Sequence, residues 1–120
     1  MKTSELTGAA LDWAVAKCAE MRIRIAAGNV YPHLLRLDGT GLNYTPSTNW
    51  AQGGPIIERE LISISSPRGF GWVAELWQEK TNPITGHFTF GGGDTPLIAA
   101  MRCYVASKLG DEVEIPEELL

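Results

Sequence analysis

Residue types that bind metals or form covalent intermediates are scarce in this chain: two cysteines, Cys18 and Cys103, and two histidines, His33 and His87, among 120 residues. They make no CxxC pair and no zinc-ligand spacing, so neither a metal site nor a disulfide framework is expected, and both cysteines read as small core residues kept reduced. No apolar run approaches the roughly 18 residues that cross a membrane. The opening Met1-Lys2-Thr3-Ser4-Glu5 has no apolar stretch behind its lysine, which does not fit a signal peptide and points to the cytosol. HExxH, GxSxG, a P-loop and a GxGxxG following a strand are all missing. The acid pairs Glu58/Glu60 and Glu75/Glu79 read as solvated faces and the histidines as strand or loop residues, so no catalytic set and no cofactor is expected.

Positive charge is also in short supply, with ten Lys and Arg against 14 Asp and Glu and a formal net charge of −4. The acids are unevenly spread. Residues 111–120 hold Asp111, Glu112, Glu114, Glu117 and Glu118 and no base, so residues 1–110 carry ten bases against nine acids. One globular domain over 1–110 is expected, followed by an acidic tail over 111–120 that is either loosely docked or disordered. Nothing forms the basic stripe that duplex nucleic acid requires, whereas a near-neutral body is compatible with a small phosphorylated ligand.

What is present is a soluble globular composition, 44% hydrophobic and 20% charged, with recognisable periodicities. Leu11, Ala14, Val15, Cys18 and Met21 repeat at helical spacing, predicting a helix over about Ser4 to Met21, with Thr3 or Ser4 as its cap. Met21 to Ile25 alternates and is either a short strand or the frayed end of that helix. Glycine and proline punctuate residues 26–49, where part of Tyr31 to Leu37 can pair at a sheet edge. Gly53-Gly54-Pro55 is expected to open a helix of about two turns, because proline favours the first helical position. Ile62–Ser65, Trp72–Trp77 and His87–Phe90 read as three strands of an antiparallel meander, separated by turns at Ser66–Gly69 and Thr81–Gly86. The last helix has Thr95 as N-cap, Pro96 at its first position, a stripe of Leu97, Met101, Tyr104, Val105 and Leu109, and Gly110 as its stop. The expected class is α+β: a small antiparallel sheet of three or four strands with helices on both faces, an α/β/α sandwich. Trp72 and Trp77, five residues apart, fall on opposite faces of their strand.

Two loops stand out as candidate ligand contacts. Tyr44-Thr45-Pro46-Ser47-Thr48-Asn49-Trp50 gathers rings, hydroxyls and an amide just before a helix. Tyr44, Ser47, Thr48, Asn49 and Trp50 can hold an anion and stack a base, or else one of them caps a turn while Trp50 is core. Gly91-Gly92-Gly93 leaves a strand and enters the helix capped by Thr95, so Gly92, Gly93 and Thr95 form either a phosphate-approach loop or a flexible exit. Arg102, two turns beyond Thr95, can reach a surface pocket or simply snorkel at the surface.

Three blocks together resemble the NinX-like phage proteins, a family of unknown function: Leu11 to Ala16, Tyr44 through Glu58, and Thr95 to Arg102 running on through Lys108 to Val113. A more distant similarity is to the phage ABA-sandwich domain. The family usually has Asp where this chain has Asn49, so a cation or proton held by that Asp in relatives is not expected here. The resemblance implies an accessory protein of a tailed bacteriophage, acting in the host bacterial cytoplasm, with an α/β/α sandwich. The leading expectation is a non-enzymatic binding protein, a homo-oligomer that sequesters a small nucleotide-like ligand such as a host immune signal. The alternatives are an inhibitor that docks on a host enzyme through its acidic tail, and a small nucleotide hydrolase using Asp12 or Glu58 with water.

Overall fold

A computed structural model describes residues 1–32, 43–69, 71–78 and 86–120. His33, the rest of the expected edge segment to Leu37, Glu79 and the loop from Thr81 lie outside them. The chain is α+β. A 3₁₀ turn, Thr3–Glu5, precedes helix α1 (Gly8–Cys18); strands β1 (Ile23–Ala26) and β2 (Asn29–Pro32) follow, then helix α2 (Trp50–Glu60). Strands β3 (Ser63–Ser65), β4 (Trp72–Gln78) and β5 (His87–Gly93) lead into helix α3 (Pro96–Leu109), and a second 3₁₀ turn, Glu117–Leu119, ends the described elements.

The first helix is shorter than its periodicity suggests. Thr3 does not cap it, because its N–H donates to the Asp111 carbonyl at 2.8 Å and its hydroxyl to the Gly110 carbonyl at 2.6 Å. Residues 3–5 are thus held by the C-terminal segment, Leu6 is fully buried, and the helix starts only after Thr7. The alternation after Met21 is a strand: β1 and β2 form an antiparallel hairpin in which Ala26 pairs with Asn29. Ala27 and Gly28, at φ 51° and 76°, supply the two left-handed residues of a tight hairpin turn.

The second helix begins three residues before the expected Gly53. Asn49 is the N-cap, its Oδ1 accepting the Ala51 N–H at 2.9 Å, and Gly53 and Pro55 lie inside the helix. Gly53 is there for packing, since a Cβ on it would meet the Pro46 carbonyl oxygen at 2.4 Å and Leu97 Cδ2 at 2.7 Å. Tertiary contact outweighs the weak helix propensity of glycine.

The meander is antiparallel, in the order β3-β4-β5. Its last strand runs further than Phe90. Gly91, Gly92 and Gly93 pair with Ala74, Val73 and Trp72, so they belong to the sheet and not to a loop. The reason is the seating of α3. A Cβ on Gly91 would lie 2.5 Å from both the Ala99 carbonyl oxygen and the Cys103 nitrogen, and one on Gly93 would lie 2.6 Å from Ile98 Cγ2 and 2.9 Å from the Ala99 nitrogen. Only glycine lets helix backbone approach strand backbone this closely.

Helix α3 keeps its expected ends, with the Thr95 hydroxyl accepting the Ile98 N–H at 3.1 Å and Gly110 closing the helix at φ 85°. It carries more than one stripe, because Leu97, Ala99, Ala100, Met101, Cys103, Tyr104 and Val105 are all buried. Such a helix is the centre of the core. It rests on the sheet while α1 and α2 pack against it, and α1 also meets β2. Ala74 and Leu76 face this layer and are buried. On the alternate positions Val73, Glu75 and Trp77 share the other face with Gly92, Phe90 and Phe88, their register partners. Among the described residues no helix lies over that face, and Val73, Trp77, Phe88 and Phe90 stay exposed. The tail is docked: the Met1 amino group donates to the Val113 carbonyl at 3.0 Å, the Val113 N–H to the Met1 carbonyl at 2.9 Å, and Val113 is buried.

Alanine at two of these glycines separates packing from flexibility. Gly91→Ala is expected to lower stability by about 1–3 kcal/mol through overpacking, while Gly92→Ala, whose Cβ meets nothing nearer than the Trp72 carbonyl oxygen at 3.7 Å, is expected to stay within about 0.5 kcal/mol. Urea unfolding of the two variants checks this, and equal losses would refute it.

Candidate ligand-binding site

The loop before α2 is held rigidly from three sides. The Tyr44 N–H donates to the Val30 carbonyl at 2.8 Å. Gln52, from the first turn of α2, accepts the Thr45 N–H at 2.6 Å and donates its Nε2 to the Asn43 carbonyl at 3.1 Å. Asp12, only 3% exposed on α1, accepts the Ser47 N–H at 2.9 Å. Burial raises the Asp12 carboxyl above its ordinary value, opposed by the neighbouring Ser47 hydroxyl and N–H. That hydroxyl stands beside the carboxyl and is itself fully enclosed.

These constraints sort the expected ligand residues. Tyr44 is buried, and burial, reinforced by Tyr104 and Asp12, pushes its hydroxyl up to about 12, so it supports the loop and offers no open ring. Asn49 is committed as a cap. An Asp at this position would accept the same bond, so the family's usual residue has a structural explanation without a cation or a proton. Trp50 is not core, being 55% exposed. Ser47, Thr48, Trp50 and Thr95 do come together, around a pocket of about 210 Å³ completed by Pro96, Leu97 and Ile98.

Gly92 and Arg102 lie elsewhere. They line a larger cleft of about 420 Å³ with Lys2, Val73, Phe90, Asp111 and Glu112. Arg102 is fixed there: its Nε donates to the Leu6 carbonyl at 2.9 Å and its Nη1 to the Gly92 carbonyl at 2.8 Å. Gly93 lines neither space; its Cβ side faces α3. Beside the cleft the exposed rings form a row, Trp77 edge-on to Phe88 with centroids 4.9 Å apart and Phe88 6.2 Å from Phe90. The shared face of Phe88 and Phe90 is visible in their spacing. Their exposure is not, because alternation identifies two faces without saying which one is covered. Lys2, Asp111 and Glu112 carried no signal at all, since only the pairing of Lys2 with Glu112 brings the two termini to the cleft.

The two cysteines line neither space. Burial pushes the Cys18 and Cys103 thiols up to about 12, far from the thiolate needed for reaction. Among the described residues no three His, Cys, Asp or Glu side chains cluster as metal ligands, and no helix is long and apolar enough to cross a membrane.

A family model described as Bacteriophage P22, NinX matches residues 2–108. Among curated proteins none matches the chain.

The raised Asp12 carboxyl makes a signed prediction. Between the ordinary carboxylate value and the higher folded value the native state binds the proton more tightly than the unfolded chain, so this group removes stability as pH rises through that window. Asp12→Asn, which keeps the acceptor for the Ser47 N–H, is expected to lose this decline and to match or exceed the parent stability at pH 7. Asp12→Ala leaves that N–H without its partner and is expected to fall by about 1–3 kcal/mol. Thermal unfolding of all three proteins between pH 4 and 7 decides it, and a parent curve rising with pH at this group would contradict it.

Proposed function

This chain belongs to the bacteriophage P22 NinX family, and we propose that, as a phage accessory protein working in the host cytoplasm, it captures a small nucleotide-like ligand and holds it unaltered. The observation that carries the proposal is the exposed ring row ending at Phe90, which is 61% exposed, beside a cleft that also contains Lys2 and Arg102. Nucleobases stack on aromatic side chains largely irrespective of base identity. At about 420 Å³ the cleft falls in the range of small-molecule sites. Asp111 and Glu112 balance the two cations there, which favours a ligand with one charge per phosphate, such as a cyclic nucleotide, over a triphosphate. The high thiol values and the enclosed Asp12 support holding over turnover. A second copy of the chain seated on the ring row would close the cleft, and a host immune signalling nucleotide is a target of the right chemistry for such a trap.

One feature favours a second interpretation. The five acids of residues 111–120 are all exposed while Val113 is buried, so the docked tail presents a negative surface suited to a basic patch on a host enzyme. Truncating the tail would unpair Met1, so neutralising its acids is the cleaner variant.

Titration calorimetry against cyclic and linear nucleotides is expected to give saturable heat with at least one of them, recovered chemically intact by mass spectrometry. Phe90→Ala is expected to weaken that binding by roughly ten- to a hundredfold, and sedimentation reports whether the ligand is held by a dimer. No heat across the panel would overturn the proposal, and an altered nucleotide would replace it with a hydrolase.

A further inference from the structure

The two edges of the meander are built differently. Strand β3, at one edge, is three residues long, with Pro67 two residues beyond it and Arg68 next, so it offers little to another strand. Strand β5, at the other, has seven residues, His87–Gly93, all in regular register with β4 and without a bulge. It contains no Pro, Lys, Arg, Asp or Glu. Shortness, proline, charge and bulges are what keep an edge strand from pairing further, and β5 has none of them.

Among the described residues, β4 is the one strand that pairs with β5. Two β5 carbonyls accept from side chains of α3: Gly92 from Arg102 at 2.8 Å and Thr89 from the Cys103 thiol at 3.2 Å. A carbonyl oxygen keeps a second lone pair after one such bond. Open space runs along the whole strand. The cleft already described reaches Phe90, Gly91 and Gly92, and a second one of about 490 Å³ reaches His87, Phe88, Thr89 and Phe90.

The two halves of the strand complement each other. Paired antiparallel with a second copy about Phe90, its midpoint, all seven residues find partners: His87 with Gly93, Phe88 with Gly92, Thr89 with Gly91, and Phe90 with its own equivalent. The ring-bearing half thus meets the glycine half. Gly92 is exposed, and a Cβ on it would touch nothing nearer than the Trp72 carbonyl oxygen at 3.7 Å. Phe88 of the other copy has a flat place to lie there, a cross-strand contact that compensates edge glycines. Charge agrees with this register. Asp94 is exposed and falls opposite Gly86, one residue beyond His87, where the exposed Lys108 lines the second cleft. The two-fold axis makes this acid-to-base approach occur twice.

We propose that β5 is the pairing edge of a homodimer, in which two copies join their meanders across Phe90 into one antiparallel sheet of six strands, three from each. The proposal deepens the ligand reading by specifying how a second copy reaches the ring row: the two Phe90 rings meet on the axis, at the mouth of the cleft.

Introduced cysteines read the register directly in the ligand-free protein. Partners across an antiparallel pair lie about 4.5–5.5 Å apart at Cα, within disulfide reach. Phe90→Cys is expected to give a disulfide-linked dimer under mild oxidation. Phe88→Cys alone is expected not to, since the two copies of that position stand roughly 13 Å apart along the strand, yet it is expected to link to Gly92→Cys when the two are mixed. The parent, whose own thiols are pushed up to about 12 by burial, is the blank. Sedimentation equilibrium of the parent is expected to show a concentration-dependent dimer, weakened about tenfold by Phe90→Lys, which sets like charges opposite each other on the axis. A parent that stays monomeric, or Phe88→Cys linking to itself while Phe90→Cys does not, would overturn the pairing, and a monomer would leave the edge to a strand of another protein. Nucleotide heat from a monomer sinks the pairing alone, whereas a dimer that binds no nucleotide sinks the ligand reading alone.

Discussion

The close approach of α3 to β5 is the constraint on which the rest of this fold depends. Where Gly91 and Gly93 have no side chain, the helix backbone around Ala99 and Cys103 comes against the strand. The Cys103 thiol then reaches the Thr89 carbonyl, 3.2 Å away, and Gln78 Nε2 reaches the Ser107 carbonyl at 2.8 Å. A helix seated this deep has both sides available for burial, and α1, α2 and the first 3₁₀ turn all pack on it. The core is therefore organised around one helix. Of the large side chains, Tyr104 is the bulkiest one fully enclosed.

The same strand explains why, among the described residues, the rings of the opposite face stay exposed. Phe88 and Phe90 alternate with Thr89 and Gly91, so committing the small residues to α3 commits the rings to the outside. Contiguous exposed rings of this kind are unusual on a small domain. Gly92 adds a flat spot beside Phe90, and Arg102 spans from Leu6 to the Gly92 carbonyl to form the neighbouring wall. The arginine is a brace.

Charge is distributed by the same architecture. The N-terminal residues and the segment after Gly110 hold each other through Met1, Lys2, Thr3 and Val113. That pairing turns an acidic tail into part of the surface and places Asp111 and Glu112 beside Lys2 and Arg102. The cleft thereby holds both signs, while no charged residue lines the pocket at the helix starts.

Local chemistry was legible from the residues alone. The Thr95-Pro96 start and Gly110 stop of α3, the strand order of the meander and the α+β class all follow from caps, turn formers and alternation, which act over a few residues. Reading failed where a distant partner decides. Thr3 is taken from helix capping by Gly110 and Asp111. Gly53 is drawn into a helix by Pro46 and Leu97, and the three glycines after Phe90 are strand because of a helix that follows them in sequence. Eight of the nine expected ligand residues divide between capping, support and two separate spaces for the same reason: Asn49 and Thr95 cap, Tyr44 supports, Ser47, Thr48 and Trp50 line the pocket, and Gly92 and Arg102 line the cleft. The sequence by itself determined which segments could be helix, strand or turn, because those preferences are local. Only the tertiary structure decided which glycines are packing surfaces, which rings stay outside and which polar groups meet, because each depends on atoms brought from far along the chain.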